Sequence, residues 1–167
     1  MELSKEKKVI VERHNKVVYD NGDTVVKVFN GSKPAADILN EGLNLARAEQ
    51  AGINVPALTE ISKVGNSWAI ATLKVEGPTL RQLLKDHPEK TDELLDKFVD
   101  LELSVHAHRS ALLPRRRDKF ARMINSIPDV LAEDARYELL MKLDGMKNHA
   151  KVCRGDFVPS NVIIPEK

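Results

Sequence analysis

Strand-like segments gather in the first 73 residues of the chain, and helix-like segments fill most of the remainder. Five segments rich in β-branched residues are bounded by turn signals, and one helical segment is inserted after the third of them. These five segments are residues 9–11, 17–19, 24–29, 58–64 and 68–73. Asn21-Gly22 and Gly65-Asn66 suit hairpin turns, because such residues tolerate positive φ. The order predicts an α+β protein that begins with a five-stranded antiparallel sheet.

The inserted helix is predicted over residues 35–51, where apolar positions follow helical spacing. Pro34 is tolerated in a first helical turn, Gly52 supplies a C-cap and Pro56 prevents continuation. Further helices are predicted over residues 79–85, 92–108, 117–126 and 132–142. The tail, residues 152–164, is apolar at both ends around a polar centre, which predicts a strand, a loop and a second strand.

Charge and cysteine content exclude several classes of protein. The chain has 26 basic and 25 acidic residues and a net charge of +1, which argues against a nucleic-acid binder or a membrane-surface binder. Cys153 is its only cysteine, so an intramolecular disulfide is excluded. The first residues lack the apolar core of a signal peptide, and no stretch is apolar enough to cross a membrane. We expect a cytoplasmic protein that uses neither nucleic acid nor a membrane.

Several other conspicuous residues favour structural interpretations. His106 and His108 lie two positions apart on a helix and therefore on different faces, so they cannot share a metal ion while helical. Cys153 is expected to be an inert buried thiol in an apolar strand. The basic run at residues 115–117 is expected to be a solvated helix start or loop rather than an anion-binding patch. Trp68 is expected to lie in the hairpin core.

The most informative chemistry lies near the end of the chain, where residues 155–161 read Gly-Asp-Phe-Val-Pro-Ser-Asn between two apolar stretches. Phosphoryl transfer to a hydroxyl needs a carboxylate near the acceptor oxygen. It also needs an oxygen ligand that helps to hold Mg²⁺ against the phosphates. A kinase catalytic loop supplies both from one Asp-x-x-x-x-Asn span, and Asp156 and Asn161 have this spacing.

This segment resembles the His-Gly-Asp-x-x-x-x-Asn loop of the aminoglycoside phosphotransferase and choline kinase-like family. The resemblance extends from about residue 8 to residue 164, in the family's order of elements. Lys27, in the third strand, resembles the lysine that binds the ATP phosphates. Glu41 resembles its ion-pair partner, and Glu49 is a weaker candidate for that place. Residues 51–56, Ala-Gly-Ile-Asn-Val-Pro, are similar to the family's Ala-Gly-x-x-Val-Pro stretch.

The resemblance implies a protein-kinase-like fold with a five-stranded antiparallel N-lobe, its inserted helix and an incomplete helical C-lobe. Residues 1–76 would form the nucleotide-binding N-lobe, and residues 77–167 a partial C-lobe with the catalytic loop. The implied activity is transfer of a phosphoryl group from ATP, with Mg²⁺, to a hydroxyl of a small molecule. Asp156 would be the catalytic base and Asn161 a Mg²⁺ ligand.

The resemblance also implies how the base of the nucleotide is bound. Residues 73–77 are similar to the hinge between the lobes, where backbone groups of Leu73 and Val75 would meet adenine. The turn at residues 14–16, His-Asn-Lys, takes the place of the usual glycine-rich turn over the phosphates but contains no glycine.

Each of these residues has a structural interpretation when it is considered alone. Lys27 could point outward from an amphipathic strand, and Glu41 could be a solvated helix residue. Asp156 could cap a local turn through its side chain. Only the shared order of all the elements favours the functional interpretation.

The sequence departs from the family pattern in two places. Arg154 stands where the family has a histidine that supports the loop, and this arginine could instead pair with Asp156 and weaken it as a base. Family members also continue from the loop into a strand whose aspartate binds the catalytic Mg²⁺. No residue of this chain supplies that aspartate by position, and a hard dication held by Asn161 alone would bind poorly.

Two classes of function therefore stay open at this point. The chain is either a phosphotransferase, or the N-terminal part of one, or it is an inactive kinase-fold remnant that serves as a nucleotide-binding or interaction module. The pocket residues that would select an acceptor are mostly missing, so the sequence does not identify the substrate. Exposed apolar helix faces and an unpaired edge on the last strand would favour self-association.

The 167-residue chain is expected to be inactive, or nearly so, as a phosphotransferase, because its Mg²⁺ site and acceptor pocket are incomplete. ATP turnover measured with Mg²⁺ and a panel of amino alcohols and aminoglycosides tests this expectation. Robust turnover by this chain with any member of the panel would contradict it.

Overall fold

The computed structural model describes residues 1–127, 130–147 and 149–165. Its first part is one five-stranded sheet in the order β1-β2-β3-β5-β4, with every neighbouring pair antiparallel. The strands are β1 (Lys8–Arg13), β2 (Lys16–Asp20), β3 (Thr24–Phe29), β4 (Leu58–Val64) and β5 (Ser67–Leu73). The predicted five-stranded antiparallel sheet is therefore confirmed.

Two tight turns fix the register of this sheet. The β2–β3 connection turns at Gly22, which has φ +80°, and the backbone N–H of Asn21 donates to the carbonyl oxygen of Thr24 at 2.9 Å. The β4–β5 connection turns at Gly65-Asn66, with Gly65 at φ +58°. A left-handed backbone at these positions suits glycine, which lacks a Cβ atom.

The sheet has two packed faces, because side chains alternate along each strand. Phe29 and Ile70 are buried on one face with Ile38 of helix α1 (Ala35–Gln50). The opposite face buries Val26, Ala69 and Ala71, against which Met1 and Leu3 pack. The inserted helix thus covers one face, and the first residues of the chain cover the other.

Helix α1 lies very close to the sheet because residue 42 is glycine. Gly42 is buried, and a Cβ atom added to it would collide with the Cδ1 atom of Ile61 on β4. The helix ends at the C-cap Ala51, after which Gly52 takes φ +77°, as the predicted cap requires.

The remainder of the described chain is helical. It contains α2 (Leu80–Asp86), α3 (Thr91–Ala107), α4 (Arg116–Asn125) and α5 (Glu133–Gly145), with 3₁₀ turns at Pro88–Lys90 and Pro159–Asn161. Each helix begins within one residue of its predicted start. The hydroxyl of Thr79 caps α2 by accepting from the backbone N–H of Gln82 at 3.2 Å. No helix in the described ranges combines the length and apolar character needed to cross a bilayer.

A small core joins the tail to these helices. Leu80, Leu94 and Val162 are buried together, and the ring of Phe157 stacks on that of Phe98 with 4.6 Å between centroids. The N–H of Leu80 donates to the carbonyl oxygen of Val162 at 2.8 Å. The segment that contains residues 156–161 is therefore anchored on both sides.

The strand–loop–strand prediction for the tail is wrong. Residues 151–158 form no regular element, and Ile163 makes only an isolated bridge with Thr79. The apolar residues here pack individually on side chains of α2 and α3, and they do not pair with a neighbouring strand. Without a strand around it, Cys153 is exposed rather than buried, which corrects that prediction as well.

Trp68, His106 and His108 were each given a structural interpretation above. Trp68 is partly buried against the core that contains Phe29, as predicted for the hairpin. His108 places Nδ1 2.8 Å from the carbonyl oxygen of Ser104 on its own helix. No group of three His, Cys, Asp or Glu residues that could hold a metal ion occurs among the residues described. Glu166 and Lys167 lie outside the described residues.

Truncating the α1 anchor should destabilise the strand-rich part strongly. Ile38 is 1% exposed, and we expect Ile38→Ala to lower the free energy of unfolding by roughly 2–5 kcal/mol. Leu39→Ala is the matched control, because Leu39 is 44% exposed and its truncation should cost less than about 1 kcal/mol. Urea denaturation followed by circular dichroism measures both, and equal losses for the two variants would contradict the packing described here.

Candidate functional site

An ion pair links the sheet to the inserted helix. Lys27 on β3 places Nζ 2.5 Å from Oε1 of Glu41 on α1, and each side chain is about one third exposed. Lys27 shares a sheet face with Phe29, two residues along the strand, so its side chain points toward α1. The close approach at Gly42 brings the adjoining Glu41 within reach. Glu49, the weaker candidate, is not the residue that contacts Lys27.

A second lysine, which the sequence analysis missed, shares the same carboxylate. Lys33 lies in the loop before α1 and places Nζ 2.5 Å from Oε2 of Glu41. The same ammonium lies 4.5 Å from the centroid of the Phe29 ring, a cation–π contact. Lys33 precedes the helix and Glu41 lies within it, so helical spacing does not apply to this pair. The conformation of the loop brings the two side chains together. Glu41 is therefore held by two ammonium groups.

Lys16 completes a local group of positive charges. It lies on β2 opposite Phe29, and we call Lys16, Lys27, Lys33 and Glu41 the lysine cluster. Burial lowers the pKa of Lys16, the positive charges of Lys27 and Lys33 lower it further, and Glu41 partly opposes this shift. Burial alone would raise the pKa of Glu41, but the hydrogen bonds from Lys27 and Lys33 outweigh it and hold that pKa below its usual value. Three ammonium groups around one carboxylate leave an excess of positive charge.

The end of β5 and the hinge-like segment that follows it are tied to neighbouring segments at two consecutive residues. The N–H of Leu73 donates to the carbonyl oxygen of Ala57 at 2.9 Å, and the N–H of Lys74 donates to that of Asp23 at 2.9 Å. Val75 is half-buried, and its N–H makes no hydrogen bond within the part of the chain that the structure describes. A backbone donor at Val75 is thus available to a ligand, while the N–H of Leu73 is already used.

Asp156 and Asn161 are brought together by the 3₁₀ turn between them. Nδ2 of Asn161 donates to Oδ2 of Asp156 at 3.0 Å and to the carbonyl oxygen of Asp156 at 3.1 Å. The opposite amide orientation would set oxygen against oxygen, so Oδ1 of Asn161 points away from this contact. Both side chains are exposed, while Phe157 and Val162 anchor the flanks of the loop.

The side chain of Arg154 supports this loop by a hydrogen bond to the backbone of Asp156. Its Nη1 donates to the carbonyl oxygen of Asp156, so the predicted pairing with the Asp156 carboxylate is not what the structure contains. The acceptor lies only two residues along the chain, and the long arginine side chain curls round to reach it. Arginine at this position therefore contributes to loop support by a hydrogen bond.

The two pairs form separately. Among the described residues, no hydrogen bond or ion pair joins Lys27 or Glu41 to Asp156 or Asn161. One approach between the two parts of the chain is that of His108 to Gly52, where an added Cβ atom would lie 3.9 Å from Nε2. A cleft shared by all four side chains, and their roles in binding and catalysis, stay predictions.

Comparison with known proteins identifies the fold. No protein-family model matches the chain, and no curated protein matches it. Among solved structures, it is similar to an aminoglycoside-3′-phosphotransferase of type VIII, with a TM-score of 0.53 and 20% identity over 96% of this chain and 66% of that one. It also aligns with the streptomycin–ATP–APH(2″)-IIa ternary complex, with a TM-score of 0.46 and 18% identity over 84% of this chain and 51% of that one.

The first of these similarities confirms the predicted fold class. The chain has the protein-kinase-like α+β fold of aminoglycoside phosphotransferases. It spans just under two thirds of the length of the type VIII enzyme and about half of the length of the APH(2″)-IIa chain.

The shared carboxylate should make stability depend on acid pH. The folded pKa of Glu41 lies below its ordinary value of 4.5, so its stabilising contribution is present above that value and is lost as pH falls through the folded pKa. We expect Glu41→Gln to lower Tm at neutral pH by roughly 2–4 °C, the shift that about 1 kcal/mol produces in a chain of this size. The difference from wild type should shrink toward about pH 3.

Thermal unfolding between neutral pH and about pH 3 measures this dependence. Glu49→Gln on the same helix is the matched control and should change Tm little at any pH, because Glu49 takes no part in the pair. A Glu41→Gln deficit of the same size at both ends of the pH range would contradict the ion-pair account.

Proposed function

We propose that this chain is the nucleotide-binding and catalytic-loop part of an ATP-dependent phosphotransferase that acts on a hydroxyl group of a small molecule. The observation that carries the proposal is the Lys27–Glu41 ion pair at 2.5 Å within a fold shared with an aminoglycoside-3′-phosphotransferase. An ion pair alone is common on protein surfaces. In this fold, a lysine on a central strand held by a glutamate on the inserted helix is the arrangement that binds nucleotide phosphates.

The lysine cluster supplies the charge that a triphosphate requires. Glu41 fixes the flexible stem of Lys27 at its end, so less side-chain entropy is lost when Lys27 binds a phosphate oxygen. Lys33 shares this carboxylate, and Lys16 lies beside it with a lowered pKa, so an incoming anion would relieve repulsion among the three ammonium groups. Side-chain charge thereby compensates for the absence of glycine from the turn at residues 14–16.

The hinge-like segment supports recognition of a purine base. The free N–H of Val75 can donate to a ring nitrogen. The backbone at Leu73 lies at the end of β5, where its N–H is engaged, so its contribution would come from its carbonyl oxygen. Recognition by backbone groups requires no particular side chain at these two positions.

Asp156 is the proposed base. Its carboxylate would accept the proton of the acceptor hydroxyl as that oxygen bonds to the γ-phosphorus, and the bond to the β–γ bridging oxygen would break to leave ADP. Asn161 holds Oδ2 of Asp156 through Nδ2, which orients the carboxylate for this transfer. The other carboxylate oxygen of Asp156 then faces the acceptor.

Asn161 is the proposed ligand for a Mg²⁺ ion that arrives with the nucleotide. Its Oδ1, which points away from Asp156, is an oxygen donor of the kind that Mg²⁺ prefers. One such donor suffices only where phosphate oxygens and water supply the remaining positions. When bound, the ion would neutralise charge on the phosphates.

A small-molecule acceptor is supported by the fold neighbour, which is named for aminoglycosides. Amino alcohols and aminocyclitols are thus the first acceptors to test. A second candidate function is nucleotide binding without transfer. It is favoured by the identity of residue 154, where a permanently charged arginine stands in place of the histidine of the family that the chain resembles.

Removing Lys27 should weaken binding of ATP but not of adenosine. We expect Lys27→Ala to raise the Kd for ATP by roughly tenfold or more, because a charge-assisted contact to phosphate is lost. Adenosine has no phosphate, so its Kd should be the same for the variant and for wild type. Isothermal titration calorimetry with both ligands measures this selectivity.

Lys8→Ala is the control for loss of one positive charge from the same sheet, since Lys8 lies on β1 opposite Asp20 and outside the lysine cluster. It should leave both Kd values unchanged. Equal affinity of wild type and Lys27→Ala for ATP would contradict the proposed phosphate site. ATP binding without phosphoryl transfer to any tested acceptor would favour the second candidate function.

A further inference from the structure

A cavity of about 260 Å³ lies between α3, the start of α4 and the segment that precedes Asp156. We call it the α3–α4 cavity. Its polar lining comes from Glu102 and His106 of α3, Arg116 of α4, and Cys153, Arg154 and Gly155 of the tail. Of these side chains, only that of Arg154 has a role described above, in support of the loop that contains Asp156.

The lining has an excess of positive charge. Arg116 and Arg154 line the cavity from two different segments, and the guanidinium of Arg116 lies against Gly155, where an added Cβ atom would be 2.6 Å from Nη2. The guanidinium of Arg116 can rest on this backbone because residue 155 has no side chain. Within the described ranges, neither arginine has a carboxylate oxygen within 4 Å.

The basic run at residues 115–117 is thus divided by the fold. Arg117 turns toward α5, where it pairs with Asp144 at 3.5 Å and donates to the carbonyl oxygen of Met146. Arg115 precedes α4 and is exposed. Arg116 alone of the three lines the cavity, so the predicted solvated helix start describes only part of this run.

We propose that the α3–α4 cavity binds a tetrahedral oxyanion, either inorganic phosphate or the phosphate group of a small monoester. Guanidinium groups present several N–H donors in a plane and match phosphate oxygens in pairs. Two arginines from separate segments can approach such an ion from different sides. The carboxylate of Glu102 opposes binding, but two guanidinium groups against one carboxylate leave a net attraction, which is stronger for a dianion than for a monoanion.

An anion bound in the α3–α4 cavity would affect the neighbouring loop that contains Asp156. Arg154 already donates to the carbonyl oxygen of Asp156 through Nη1. An anion that also engages Arg154 and Arg116 would tie the loop to α4 and restrain the backbone at Asp156. The cavity is therefore a site from which a phosphate-containing ligand can act on the loop, whether or not the chain binds a nucleotide.

Cys153 provides a built-in reporter for this site. It is the only cysteine of the chain, it is exposed and it lines the cavity. A bound anion would occupy the space beside this exposed thiol, so it should slow alkylation of Cys153 by iodoacetamide through steric hindrance. We expect phosphate to slow the reaction of the full chain in a saturable way, relative to sodium chloride at equal ionic strength.

Four substitutions test whether the slowing comes from this cavity. Arg116→Ala and Arg154→Ala should each raise the half-saturating phosphate concentration by about tenfold or more, because each removes charged donors. Arg115→Ala is the matched control from the same run and should leave it unchanged. Glu102→Gln should lower it, an effect in the opposite direction that a variant failing to fold would not produce.

The two sources of the anion are distinguished by comparing phosphate with glycerol phosphate. A lower half-saturating concentration for the monoester identifies an organic phosphate as the ligand, and equal values identify the phosphate group itself. Absence of slowing in the wild-type chain would overturn the proposal. Slowing of equal size and midpoint in Arg116→Ala and Arg154→Ala, with both variants folded by circular dichroism, would overturn it too.

Discussion

The carboxylate of Glu41, shared between two lysines, is the interaction on which the organisation of the strand-rich part depends. It exists because α1 approaches the sheet at Gly42, where a side chain would collide with Ile61. That approach places the adjoining Glu41 above β3, within 2.5 Å of Lys27, while the loop before α1 brings Lys33 to the other oxygen. An ion pair whose two side chains are each about one third exposed contributes modestly to stability. Its larger effect is positional, because it holds the end of Lys27 where the sheet alone would leave a flexible side chain.

The segment that contains Asp156 and Asn161 is held by a different kind of force. Apolar contacts anchor it on both sides, through the stacked rings of Phe157 and Phe98 and through the burial of Val162. Between these anchors, the polar side chains of Asp156 and Asn161 face water and contact each other. Rigid flanks with an exposed polar centre suit a loop that must meet a ligand. The two candidate groups of residues are thus each ordered locally, without a direct bond between them.

The sequence was sufficient for the features that depend on local pattern and order. Alternating β-branched residues, hairpin turns and helical spacing predicted the sheet and the helices, and the resemblance to the phosphotransferase family implied the fold and the partners Lys27 and Glu41. The tail was predicted wrongly because Val162 is buried against helices α2 and α3 and not within a sheet. Periodicity alone cannot distinguish an apolar residue buried in this way from one in a buried strand. Lys33 and Arg116 were missed as site residues for a related reason. Each is brought to its partners by a loop conformation or a tertiary contact that spacing along the chain does not encode.

A net charge of +1 argued against an extended basic surface, yet the fold concentrates positive charge in two places. One is the lysine cluster on the sheet, and the other is the pair of arginines in the α3–α4 cavity. Composition fixes the sum of the charges, whereas the electrostatic potential at a site depends on which groups lie within a few ångströms of one another. Each cationic group here contains one acidic side chain, Glu41 or Glu102, but only Glu41 is within ion-pair distance of its neighbours. The lysine cluster is therefore partly compensated before any ligand binds, while the arginine pair is not. That difference makes the cavity, rather than the more familiar cluster, the place where a bound oxyanion would change the local electrostatics most.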